Sequence, residues 1–503
     1  MERQEIHIAV VPRTSSLLLT SEQHMNLVQR IAKNTLALFL ASVINIVLGL
    51  FYGIYTARYL GPERYGTIAF AIAFIGLFSI LTDIGIQQLT LREVARDKSL
   101  VGKYLGNIAV LKVFLSIITF GLIALTINLL KYPDLTVKVV YIMALSIVLA
   151  TFSSMLTSIF QACEKMEYAS LGSIIGSASM LVGGLFAIYC GFSILGFALI
   201  YVFSNALVLI YYIIITQRFG ITPRLELDYG FIKSLVRRAL PFGIGGFFLV
   251  YYVWIDRVML SVMMNNEAVG YYSAAYNLIW SLNFVPSAFV VSLFPLMSIF
   301  FKGSDKSLDK IFRMGIKYLY MLALPMAVGV TLLGKEIVFL MYGPKFLPAV
   351  IALDILIWAE FFVFIDVLLG NMLLSINKEN ITMINAGVGT ALNIGLNLIL
   401  IPRLGIEGSA LATLATEFYF CVISFVVLQK YGHSVDLRNL LFKPLVATSL
   451  MALFISTYNH LHLFALVPIS VILYFTILYL IKYISDEDIS LIKQALAIRK
   501  LRS

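Results

Sequence analysis

Charged side chains interrupt long apolar runs at Asp83, Lys112, Asp256, Arg257, Asp354, Glu360, Asp366 and Glu417, with Arg58 and Arg92 at the ends of such runs. An ionisable group in a hydrocarbon phase costs roughly 2.5–3.5 kcal/mol, so each must face a cavity or a partner. Arginine is the informative type. Its planar fork binds oxyanions bidentately, so Arg58 and Arg257 brought together would hold a phosphate or pyrophosphate. The alternative is snorkelling, in which both reach for lipid headgroups. Asp256 would orient the surroundings of Arg257, pair with an arginine elsewhere, or form a local structural pair.

Asp83 and Gln87 stand four apart and share a helix face. Lys112 would neutralise Asp83, or serve a substrate or ion. Asn385, Gly389, Asn393 and Asn397 recur at steps of four, a polar stripe along one helix face with Glu417 as a candidate neighbour. Such a stripe hydrogen-bonds another helix or a sugar. Asp354, Glu360 and Asp366 share no face, since six residues turn a helix about 240°.

The elements that carry these groups are membrane helices. The chain has 503 residues, 60% hydrophobic and 13% charged, with mean hydropathy +0.93. A soluble domain is about a quarter charged, so lipid must cover the remaining apolar surface. Spans are predicted at 34–57, 67–89, 106–130, 137–160, 170–190, 194–216, 240–262, 270–301, 315–333, 346–375, 381–401, 404–429, 441–458 and 464–483. The segment 334–345, ending in Gly343-Pro344, reads as a short interfacial helix. Pro286, Pro295 and Pro325 predict kinks.

The chain repeats itself. Lys165-Met166-Glu167, Gly196-Phe197-Ala198 and Asn205 reappear 212 residues later as Asn377-Lys378-Glu379, Gly408-Ser409-Ala410 and Glu417. Glu63 and Gly66 reappear 204 residues later as Glu267 and Gly270. Two similar helical lobes suit a transporter that rocks around a central cavity. The expected fold is an all-α integral membrane protein of about fourteen transmembrane helices, in two pseudo-repeated six-helix lobes plus a C-terminal helix pair. The expected division is a cytoplasmic N-terminal segment 1–33, an N-terminal lobe 34–217, a linker 218–239, a C-terminal lobe 240–430, the helix pair 431–485 and a basic tail 486–503. The first and seventh helices become equivalents, which would set Arg58 and Arg257 across the gap between lobes.

The net charge is +10. With the N-terminus inside and the spans alternating, 28 lysines and arginines fall on inside segments and 8 on outside ones. That asymmetry predicts a multi-pass protein of the cell membrane with both termini in the cytoplasm, and it reads the basic excess as topology and attraction to membrane lipid rather than to nucleic acid. Cys163, Cys190 and Cys421 lie in or beside spans with wide spacing, as small apolar residues. No phosphate-binding Gly-x-x-x-x-Gly-Lys-Ser/Thr loop and no His-Glu-x-x-His occurs, and the five histidines fall outside the predicted spans. Gly243, Gly245, Gly246, Gly387 and Gly389 read as close helix packing. The longest loop has about 20 residues, too few to house a soluble active site. No catalytic residues, metal ligands or cofactor are expected.

Several segments resemble the polysaccharide transporter family, the O-antigen-type flippases within the superfamily of multidrug, oligosaccharidyl-lipid and polysaccharide exporters. They are Tyr59-Leu60-Gly61-Pro62-Glu63-Arg64-Tyr65-Gly66, Asp83-Ile84-Gly85 with Arg92, Pro241, Asp256-Arg257-Val258-Met259-Leu260 and Val269-Gly270-Tyr271-Tyr272. The resemblance runs over roughly residues 30–480. It implies a fourteen-helix, two-lobe fold with a central, often cationic cavity, which moves a polyprenyl-(pyro)phosphate-linked oligosaccharide to the outer leaflet. Arg58 and Arg257 are the nearest matches to arginines used by the lipid II flippases of the superfamily. Glycan polymerases or transferases are candidate partners. With both lobes in one chain, a monomer is expected. A cation-coupled multidrug exporter would instead use carboxylates such as Asp83, Asp256, Glu360 or Glu417. A membrane-embedded glycosyltransferase would need a large extracytoplasmic loop that this chain lacks.

Overall fold

The computed structural model describes residues 27–223, 228–301, 305–433 and 437–484. Most of the expected N-terminal segment, residues 224–227 of the linker and the basic tail lie outside them. The described residues form fifteen α-helices and no strand. Among the described residues, eleven helical stretches are long and apolar enough to cross a membrane, one of them the 51-residue run Lys33–Asp83.

Helix α1 (Leu27–Asp83) is two expected spans joined end to end. Gly61 breaks it with φ 75° and ψ 173°, a conformation that only glycine adopts readily, and Pro62 follows at a position where its missing N–H costs little. The second half continues after an Ile84-Gly85 turn into α2 (Ile86–Arg96). Then come α3 (Val101–Leu129), α4 (Asp134–Ala162), α5 (Met166–Tyr189), α6 (Ile194–Arg218) and α7 (Tyr229–Met263). The expected span 270–301 is split into α8 (Asn266–Trp280) and α9 (Phe284–Phe301) by a 3-10 turn at Ser281–Asn283. Pro286 accounts for the split, since it donates no hydrogen bond and its ring clashes with the carbonyl four residues back. The chain ends in α10 (Asp305–Tyr342), α11 (Ala349–Ser375), α12 (Glu379–Leu404), α13 (Ile406–Lys430), α14 (Leu437–Thr457) and α15 (Leu463–Leu480). Residues 334–342, expected as a separate interfacial helix, continue α10. These helices cover all fourteen expected spans. Along α3, Phe114, Ile117, Leu125 and Leu129 are more than half exposed, which leaves faces that only lipid can cover.

The helices gather into two compact units, one of Met1–Tyr52 and Ile75–Phe247, the other of Gly53–Phe74 and Phe248–Ser503. This division differs from the expected lobe boundaries. Residues 53–74 join the second unit, and the first part of α7 joins the first. Close backbone packing is the reason. A Cβ on Gly66 would strike the carbonyl of Asn266, and the Asn266 amide donates to Thr67 Oγ1 at 3.2 Å. In the first unit, a Cβ on Gly243 would stand 2.8 Å from the Ile84 carbonyl carbon.

Helices α6 and α13 have equal length, and their boundaries are 212 residues apart at both ends. Helices α5 and α12 start 213 apart, after turns whose Glu164 and Asn377 take φ of 59° and 57°. The repeat expected at 212 around Glu167 and Glu379 is therefore shifted by one residue.

Candidate functional site

The second unit holds most of the polar groups singled out above. Asp256 and Arg257 lie on α7 and are 4% and 5% exposed. The Asp256 carboxylate accepts three hydrogen bonds from neutral donors: Asn397 Nδ2 at 2.7 Å, the Tyr272 hydroxyl at 2.8 Å and Thr413 Oγ1 at 2.8 Å. Hydrogen bonds of this kind offset the desolvation of a buried carboxylate. The partner of Asp256 is thus a set of amide and hydroxyl groups from α8, α12 and α13, not an arginine.

The asparagine stripe on α12 is real and faces inward. Asn385, Asn393 and Asn397 are all buried, and Asn397 Nδ2 also meets Asn393 Oδ1 at 3.1 Å. Gly389 lies under the Phe420 ring. Glu417 on α13 accepts from the Tyr252 hydroxyl, and Glu360 on α11 accepts from Asn283 Nδ2 at 3.3 Å through one oxygen. The other Glu360 oxygen is buried without a partner among the described residues.

Arg257 is bound differently. Its guanidinium carbon lies 4.3 Å from the centre of the Tyr276 ring and 5.2 Å from that of Trp254. Tyr276 is the middle of a stacked ladder along one face of α8, Tyr272, Tyr276 and Trp280, with centroids 6.0 and 5.9 Å apart. Aromatic faces hold a cation without neutralising it. Among the described residues Arg257 makes no ion pair: the neighbouring Asp256 carboxylate acts on it through space but is itself held by neutral donors.

Arg58 does not stand across a gap from Arg257. It belongs to the same unit. Its Nε donates to the Met341 carbonyl at 2.6 Å, and its Nη2 donates to that of Leu340. These are carbonyls of the last turn of α10, which have no partner within the helix and attract cations. The guanidinium caps a helix C-terminus.

In the first unit, Lys112 is 1% exposed and reaches Asp83 Oδ1 at 3.1 Å and the Thr82 carbonyl at 3.3 Å. Asp83 also accepts from the Gln87 amide at 3.2 Å. Arg92 pairs with Glu93 at 3.0 Å, Arg238 reaches the same carboxylate at 3.4 Å, and the Arg92 guanidinium lies 5.3 Å from the centre of the Phe242 ring. Lys112 and Arg92 are each compensated locally.

Sequence reasoning missed Tyr252, Tyr276 and Thr413, and quoted Tyr272 only as part of a family motif. Tyr272, Tyr276 and Trp280 do recur at steps of four, a spacing that could have shown them as one helix face.

An all-helical membrane protein with buried polar clusters in its spans is built as a transporter. The family model described as polysaccharide biosynthesis protein matches residues 31–301, just over half of the chain, and the chain belongs to that family. A probable low-salt glycan biosynthesis flippase of Haloferax volcanii is 24% identical over 395 residues, which cover 76% of this chain and 80% of the relative. A putative O-antigen transporter of Shigella flexneri is 23% identical over 377 residues, 71% of this chain and 88% of the relative. The fold is shared with a solved lipid II flippase in an inward closed conformation, at TM-score 0.74 and 16% identity, over 88% of this chain and 98% of that one.

Proposed function

We propose that this protein is a flippase, which moves a polyprenyl-(pyro)phosphate-linked oligosaccharide from the cytoplasmic to the outer leaflet by alternating access. The observation that carries the reading is Arg257: a buried guanidinium, held by aromatic faces and free of any ion pair among the described residues, in a family of polysaccharide biosynthesis proteins. Burying a charge without a paired counter-ion is costly, and an anionic ligand lowers the cost. A lipid (pyro)phosphate has that charge and matches the guanidinium geometry. The polyprenyl tail stays in the bilayer while the protein shelters the polar headgroup. Moving negative charge toward a positive exterior releases about 2.3 kcal/mol per charge per 100 mV, so the membrane potential favours export. The names of the relatives support the same reading.

In this proposal the protein works as a monomer in the cytoplasmic membrane with both termini inside, and the two pseudo-repeated lobes move against each other. The test is reconstitution in proteoliposomes with a fluorescent polyprenyl-pyrophosphate-oligosaccharide and an external quencher. Protein-dependent exposure of the label supports the flippase. Absence of flipping from correctly folded protein rejects it.

A second reading, a cation-coupled multidrug exporter, is favoured by the unpartnered buried oxygen of Glu360, an acceptor suited to a proton or an organic cation. Proton- or sodium-driven efflux of a cationic dye, without glycolipid flipping, would decide for it.

A further inference from the structure

We propose that the first unit carries a binding subsite for the neutral sugar part of the substrate, an inference that rests on the flippase reading and deepens it. A cavity of about 530 Å³ opens among α1, α4, α5 and α6. That size falls in the roughly 300–1,000 Å³ range of small-molecule sites. Of its twenty lining residues, eleven are serine, threonine, asparagine or glutamine, and none is an Asp, Glu, His, Lys or Arg. The polar groups come from every wall: Asn45 on α1, Thr157 and Gln161 on α4, Ser173 and Ser177 on α5, Asn205 on α6.

This composition selects the ligand. A phosphate needs a cation or a helix N-terminus aimed at it, and the lining has no cationic side chain. An acyl chain would leave the Ser170 hydroxyl and the Asn45 side-chain oxygen without partners. Sugar hydroxyls both donate and accept, as do the hydroxyls and carboxamides here. A second observation points the same way. Ser170 lines the cavity, is 6% exposed, and its hydroxyl has no hydrogen-bond partner among the described residues; the same holds for the Asn45 carbonyl oxygen. Asn45 Nδ2 is already committed to Ser173 Oγ at 2.9 Å, which fixes the amide with its oxygen unpaired.

The repeat explains why the space exists. In the second unit Phe420 on α13 presses its ring against Gly389 on α12. The equivalent pair in the first unit, 212 and 213 residues earlier, is Val208 on α6 and Gly176 on α5. There a Cβ on the glycine would meet only the Val208 methyl, at 3.1 Å. A valine thus stands where the second unit has a phenylalanine, and the smaller side chain leaves the hydroxyl-lined faces of α5 and α6 open.

The test uses the full chain with Cys163, Cys190 and Cys421 replaced by alanine and Ser177→Cys as reporter. A hydrophilic maleimide labels the new thiol in the presence of two probes. One is the polyprenyl-pyrophosphate-linked oligosaccharide fraction from host membranes, and the other is the same polyprenyl pyrophosphate without sugar. The proposal predicts that the glycolipid, at about ten times its Kd, slows labelling about tenfold, while the sugar-free lipid leaves the rate unchanged. Val208→Phe, which copies the filled arrangement of the second unit, removes the protection and the flipping of glycolipid but keeps the melting temperature. Equal protection by both lipids assigns the cavity to tail or phosphate and overturns the proposal, as does protection by neither. Wild-type flipping measured in the same preparation separates the two failures: protein that flips glycolipid without protecting Ser177→Cys contradicts the subsite alone, and protein that does not flip contradicts the flippase reading.

Discussion

Gly66 and Gly270, equivalent positions of the repeat, lie backbone against backbone: a Cβ on Gly66 would stand 2.7 Å from the Gly270 amide nitrogen, and one on Gly270 would strike the Pro62 carbonyl. The contact ties the second half of α1 to α8, and Asn277 Nδ2 bonded to the Tyr65 hydroxyl at 2.9 Å reinforces it. The motif that marks the family by sequence is thus a packing device.

Gly66→Ala and Gly270→Ala are therefore expected to be harmful even though alanine is the better helix former. Overpacking of this kind costs about 1–3 kcal/mol. Thermal unfolding in detergent should show a lower melting temperature for each, while Gly49→Ala, which meets nothing within 4 Å, should leave it unchanged.

Arg58→Ala removes two charge-assisted hydrogen bonds from the last turn of α10. The expected loss is about 1.5–3 kcal/mol of stability, and Arg58→Lys should recover part of it as a point charge at the same helix end. A loss of glycolipid affinity with an unchanged melting temperature would instead assign Arg58 to the substrate.

The Asp83–Lys112 pair predicts strong coupling. Lys112→Met strands the carboxylate and Asp83→Asn strands a fully buried ammonium, each at about 3–5 kcal/mol. The double substitution should be milder than the sum of the two. Additive losses in a double-mutant cycle would show that the two groups act independently.

Asp228, just before α7, caps that helix: it accepts from the Phe231 amide at 2.9 Å and from Lys103 Nζ at 3.0 Å. The backbone bond to Phe231 first, and then Lys103, hold its carboxyl below the ordinary carboxylate range. A depressed pKa means that the stabilisation is complete above the ordinary range and fades as pH falls through the folded value. The protection factors of the amides in the first turn of α7, which correct for the intrinsic pH dependence of exchange, should fall on acidification, and Asp228→Asn should remove that fall.

Much of this was legible in the sequence. Span positions follow from apolar run length, and the asparagine face of α12 follows from steps of four. Asp83 and Lys112 were legible as a pair because they are opposite charges on successive spans. Other features were hidden for physical reasons. The partners of Asp256 are Tyr272 and Thr413 as well as Asn397, and hydroxyls on apolar helices look like ordinary span residues until packing brings them together. The position of Arg58 depended on residues 53–74 joining the second unit through the close packing of Gly66 against Asn266, which no sequence pattern announces. The one-residue shift arises between the start of α5 and the start of α6, where the second unit runs one residue shorter from α12 to α13, and a single deletion of this kind leaves no sequence signature. The open cavity of the first unit rests on the size of one side chain, Val208 against Phe420, which has meaning only once the register is known.

The most direct test of the central claim is the rate of glycolipid flipping in proteoliposomes for wild type, Arg257→Lys and Arg257→Ala, each checked for an unchanged melting temperature. A guanidinium without an ion pair that binds the lipid (pyro)phosphate predicts about a hundredfold loss for Arg257→Ala, the equivalent of some 2.7 kcal/mol of charge-assisted bonding, and partial activity for Arg257→Lys. Full flipping by folded Arg257→Ala would contradict the account and move the anion site elsewhere.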